Sequence, residues 1–187
     1  MSAGRTAVNR ESHSPERPSV TPNAHAWESP RGWALSLALI STVAVAARVA
    51  YVLWVLGPVR SGLDAIWYQL QGGSILAGTG YVVPTSLFEG ELTPTAAFPP
   101  VYPAYQALWQ WMFGPGATAV RMAGVVPGVV TVVLVAILGR ALADARVGLL
   151  AAGAVALSPT LVAADSSTMS ENLTVPLVLA ALVLAHR

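Results

Sequence analysis

The apolar positions of this chain are blocked into long runs rather than alternating. "WALSLALISTVAVAARVAYVLWVL" (33–56) is long enough to cross roughly 30 Å of hydrocarbon as a helix. "ATAVRMAGVVPGVVTVVLVAIL" (117–138) predicts a second span, with Pro127 and Gly128 inside it, which membrane helices tolerate. "VGLLAAGAVALSPTLVA" (147–163) predicts a third, interrupted near Ser158 and Pro159. After the polar "DSSTMSEN" a fourth run, 172–186, is barely long enough to span, which suggests the front part of a longer protein. Between the first two runs, 57–116 is mixed in character and too long for a turn, so it should carry its own structure, including interfacial helices. Pro103 fits the first turn of one such helix, followed by Trp109 and Trp111 on an amphipathic stretch. Residues 1–31 hold Ser, Pro, Asn and charge with few large aliphatics, too little apolar surface to offset ordering, and read as a disordered tail. The predicted fold class is all-α: a multi-pass transmembrane bundle of about four spans within 32–187.

Composition agrees with lipid as the solvent. The chain of 187 residues is 55% hydrophobic and 10% charged, against about a quarter charged in soluble domains. There is no cysteine, which excludes disulfides and thiolate metal sites. His13, His25 and His186 are scattered, so no histidine metal cluster forms. A net charge of +1 gives no nucleic-acid signature. The placement of the charges is more informative. Arg5, Arg10, Arg17 and Arg31 precede the first run, Arg140 and Arg146 follow the second, and Arg187 follows the fourth. Asp64, Glu89 and Glu91 lie in the long loop, with Asp165 and Glu171 in the short one. The positive-inside rule then puts the N-terminus in the cytoplasm, in a plasma membrane, with both acidic loops outside.

Six residues are candidates for chemistry. Asp64 lies just beyond the first span, and Tyr68 would share its face on a helix over "LDAIWYQLQGGSILA". The alternative is a solvated acid beside an interfacial aromatic belt. Arg48 is an intramembrane guanidinium about 12 Å below the outer end of its helix, and such groups face protein or a water-filled cavity unless they snorkel. Arg121 repeats the theme about one turn into the second span. Two arginines just under an acidic surface suit an anionic headgroup such as phosphate. Asp165 brings a second carboxylate to the outer surface. Glu171 either joins it or serves its helix's first turn, with Ser170 as cap.

In order, "AARVAYVL", "GLDAIWYQLQGGSILAGTGY", "FPPVYPAYQAL", "VRMAGVVPGVVTVVLVAILGRALADARVGLLAAGAVALSP" and "SSTMSENL" resemble the N-terminal part of a GT-C-fold membrane glycosyltransferase. The group concerned is the family 39, protein O-mannosyltransferase-like set that includes lipid A aminoarabinose transferases. The resemblance covers about residues 40–187. It implies transfer of a sugar from a polyprenyl-phosphate donor to a lipid, glycan or protein acceptor at the outer face of the membrane. It also implies that Asp64 is the catalytic acid of the first outer loop, acting as general base toward the acceptor hydroxyl. Arg48 or Arg121 would stabilise the departing phosphate. Asp165 or Glu171 would bind acceptor or assist a divalent metal. Many relatives have an acidic pair in that loop, whereas Asp64 is followed by Ala65, so metal dependence stays open. The rival expectation is a non-enzymatic multi-pass protein, a transporter fragment or assembly partner, in which Asp64 and Arg48 form a structural ion pair.

Overall fold

A computed structural model describes residues 29–56, 62–86 and 90–186. The tail expected over 1–31 lies outside the described residues up to position 28, as do Glu89 and Arg187. Helix α1 runs Pro30–Ala50. Ser29 caps it by accepting the Gly32 N–H at 3.0 Å, and Pro30 occupies the first turn, where its missing N–H costs nothing. The last stretch, Tyr51–Leu56, continues as a π-helix. Helices α2 (Leu63–Leu76) and α3 (Val101–Phe113) pack against each other. Then come α4 (Ala117–Met122), α5 (Val125–Leu142), α6 (Ala145–Leu157), α7 (Pro159–Asp165) and α8 (Glu171–Ala185). Asp144 caps α6, accepting the Val147 N–H at 2.8 Å. No helix–sheet mixture arises: among the described residues the extended backbone amounts to one isolated bridge, Val82 with Pro94. The all-α reading holds.

Two segments, Pro30–Leu56 and Ala117–Leu142, are long and apolar enough to cross a membrane. A third qualifies if α6 and α7, bent by 62° at Ser158 and Pro159, count as one. Helix α8 has 15 residues and falls short of that length, so the described residues give two or three crossings where about four were expected. The sequence places the second span's end at 138; the helix runs on through Arg140 to Leu142.

The bundle core is made of small residues: Ala44 on α1, Val132 and Ala136 on α5, Ala152 and Ala156 on α6. Lipid offers no hydrophobic gain for burying larger side chains between helices, so close backbone approach drives the packing. Large apolar side chains such as Leu35, Leu39, Trp54, Leu150 and Leu177 point outward. Trp33 at the start of α1 lies under the guanidinium of Arg140 at the end of α5, 4.6 Å from the ring centroid. That contact places the beginnings of α1 and α6 and the end of α5 at one end of the bundle. The C-terminal turns of α1 and α7 and the start of α5 are at the other.

Candidate functional site

At that second end, the Arg48 Nε donates to Asp165 Oδ2 at 2.6 Å. The Arg48 side chain is 1% exposed and that of Asp165 14%. A second guanidinium nitrogen donates to the Ala44 carbonyl at 3.2 Å and the Ala156 carbonyl at 3.4 Å. Ala156 lies in the last turn of α6, where the chain turns extended at Ser158 and the ladder breaks, leaving the end carbonyls without helical donors. Arginine therefore fills a donor gap created by the bend while its charge meets a carboxylate. The backbone opens the room for this. A Cβ at Gly128 on α5 would overlap both Asp165 Oδ2 and Arg48 Nε, and one at Gly124 would overlap the Asp165 carbonyl oxygen. Asn172, buried in the first turn of α8, donates to that carbonyl at 2.9 Å. Arg48, Thr131, Asp165, Glu171 and Asn172 line one small cavity of about 60 Å³.

The structure thus brings together three of the candidates, Arg48, Asp165 and Glu171, around one void. Glu171 is exposed at its rim and accepts from the Ser170 hydroxyl at 3.4 Å. Ser170 stands at the cap position, yet its side chain makes no capping bond to the helix backbone. The ion pair that the rival reading expects between Arg48 and Asp64 is absent: Arg48 is committed to Asp165.

Asp64 sits in the first turn of α2, exposed, with no hydrogen bond or ion pair among the described residues. An acid there meets the positive end of the helix dipole. Tyr68, one turn on, is buried. It packs edge-on against Phe98 (5.0 Å between centroids) and Tyr102 (4.9 Å). Leu63, Ile66 and Leu76 face outward, as do Leu108, Trp111 and Phe113 of α3. The polar residues Gln71, Ser74, Gln106 and Gln110 are turned inward between the two helices. Gln110 Nε2 donates to the Gln69 carbonyl at 3.0 Å and Gln106 Nε2 to the Tyr102 hydroxyl at 3.0 Å. Both amide atoms of the fully buried Gln71 lack a partner.

Arg121 is buried near the end of α4, a short helix whose backbone is bonded to α3. Trp109 Nε1 donates to the Ala119 carbonyl, and the Tyr105 hydroxyl to the Ala123 carbonyl, at the break between α4 and α5. Burial pushes the Tyr105 phenol up to about 12. Burial also raises Tyr102, against the opposing hydrogen bonds of Gln106 and Asn172. Both remain neutral at ordinary pH, so Tyr105 stays a donor. The influence of Asn172 on the Tyr102 phenol places α3 beside the α7–α8 turn.

Asn172, Tyr102, Gly124 and Gly128 are positions that sequence reasoning missed. "NLT" at 172–174 reads as a discounted glycosylation sequon, and only the spacing of four between Gly124 and Gly128 signals close helix approach. A divalent metal needs several converging donors. Among the described residues no three His, Cys, Asp or Glu side chains cluster, and Asp165 is already neutralised. The described donor set does not fit a resident metal.

Residues 97–187 match the family described as dolichyl-phosphate-mannose-protein mannosyltransferase. No curated protein and no solved structure matches the chain. The matched stretch contains α3 through α8, and with them Arg121, Asp165 and Glu171. The motifs "FPPVYPAYQAL", "VRMAG…ALSP" and "SSTMSENL" fall inside it, so the resemblance to GT-C, mannosyltransferase-like membrane glycosyltransferases is borne out over that stretch.

Proposed function

We propose that the chain supplies the first outer loop and the adjoining crossings of a glycosyltransferase that takes a sugar from a polyprenyl-phosphate donor at the outer face of the plasma membrane. The family match over 97–187 carries this reading. In it the end of the bundle bearing Arg31, Arg140 and Arg146 is cytoplasmic, and the Asp64 end faces out. The acceptor is a lipid, glycan or protein hydroxyl.

Asp64 is the general base. Its exposure, with no partner among the described residues, leaves both oxygens able to take the acceptor's proton as the hydroxyl attacks the sugar's anomeric carbon. The bond to the phosphate oxygen then breaks, and the phosphate leaves as an anion. Arg121, at the top of the second crossing, is the cation assigned to that developing charge. Arg48 and Asp165 support substrate binding by fixing the floor of the site, because each neutralises the other. Glu171 at the rim, and the aromatic cluster around Tyr68, border the acceptor side.

The test is transfer of labelled sugar from a polyprenyl-phosphate donor in membranes containing the full-length protein. Asp64→Asn should reduce transfer by roughly 10²–10⁴-fold while leaving protein abundance and thermal midpoint unchanged. Wild-type rates in that variant would remove Asp64 as the base. A complete absence of transfer by the unsubstituted protein with any polyprenyl-phosphate sugar would favour the non-enzymatic reading.

A further inference from the structure

A groove of about 730 Å³ runs between α1 and α6, at the end of the bundle away from Asp64. Ser36, Leu39 and Ile40 form one wall, and Leu150, Gly153 and Leu157 the other, with Arg146 at its mouth. Its size falls among ligand sites, which run roughly 300–1,000 Å³. We infer that this groove holds one anionic phospholipid, an acyl chain lying along α6 and the phosphate at Arg146.

Three observations choose this occupant. The groove follows α6 from Arg146 to Leu157, about 16 Å at 1.5 Å per residue, close to half of the roughly 30 Å hydrocarbon core. It is thus one leaflet deep. Its walls are aliphatic and its floor is open: a Cβ at Gly153 would meet nothing within 4 Å. Finally, Arg146 at its mouth and two further arginines at the same end of the bundle favour an anion. Arg146 is exposed, Arg31 lies in the first turn of α1 and Arg140 at the end of α5. The one acid nearby in sequence, Asp144, is occupied as the α6 cap. A zwitterionic headgroup would gain little from this cluster, whereas a net-negative one gains charge-assisted hydrogen bonds from guanidinium.

The experiment is native mass spectrometry of the full chain in detergent, titrated with phosphatidylglycerol or phosphatidylcholine of identical acyl chains. One phosphatidylglycerol should be retained about tenfold more tightly than phosphatidylcholine. Arg146→Gln should abolish that preference. Gly153→Leu, whose Cβ meets nothing within 4 Å and whose side chain takes up groove space, should remove the tightly bound lipid while the lipid-free thermal midpoint stays at or above wild type. Equal retention of the two lipids, selectivity that survives Arg146→Gln, binding that survives Gly153→Leu, or a dimer occupying this face would each overturn the assignment. Sugar transfer is not part of the readout, so the outcome is independent of the proposed enzyme activity.

Discussion

Asp64 and Asp165 are both acids at helix ends on the same end of the bundle, and their surroundings are opposite. Asp165 closes α7 with a guanidinium on its side chain and an amide on its backbone carbonyl, over two glycines where an added Cβ would overlap it. Asp64 opens α2 on an exposed turn with no partner among the described residues. A carboxylate already sharing its charge with Arg48 is tied to that partner, because losing it would strand a buried cation. A carboxylate in water at a helix start is unencumbered. The contrast divides labour between two residues that look equivalent in the sequence: one builds the site, the other is free to act in it.

The sharpest way to break this contrast is a double measurement on Asp64→Asn. Transfer should fall by roughly 10²–10⁴-fold with no change in thermal midpoint; a large stability loss instead would make Asp64 structural. Next in size, Asp165→Ala or Arg48→Ala should each destabilise the detergent-solubilised protein by about 3–5 kcal/mol, because each leaves a buried partner charge unmatched. The double variant Arg48→Met with Asp165→Leu should recover most of that loss. If the recovered protein also regained transfer, the pair's role would be wholly architectural. Gly128→Val should cost about 1–3 kcal/mol by forcing the same ion pair apart, read as a lower unfolding midpoint. Smallest is Gln71→Met, expected to raise stability by about 1 kcal/mol by replacing two unpartnered buried amide atoms with an apolar side chain of similar length. Should Gln71→Met instead impair transfer at unchanged stability, the amide would belong to the substrate site.

Much of the architecture was legible because lipid imposes a crude code. Long apolar blocks had to be helices, since backbone polar groups find no water in hydrocarbon, and α1, α5 and α6 lie where those blocks do. Pro159 forecast an interruption, though not a bend of 62°. The hairpin of α2 and α3 was half legible: a helix over 63–77 and another with Pro103 in its first turn were expected, and both form. That Gln71, Gln106 and Gln110 form its interior was not, because helical spacing tells which residues share a face and not which face is turned inside. The ion pair shows the limit more plainly. Arg48 and Asp165 are 117 positions apart, and each was recognisable as an anomaly beneath or at the outer surface. Nothing local states that they touch. Their meeting depends on Gly124 and Gly128, whose contribution is the absence of atoms.

The bend between α6 and α7 has a mechanical consequence. The third crossing is two rods, and Arg48 is the pin through their joint, bonded to Ala156 on the inner rod and Asp165 on the outer. Because the pin is rooted in the first crossing, the outer rod cannot swing by itself. Any tilt that widens the mouth around Glu171 and Asn172 must drag the first crossing with it or shear the pin.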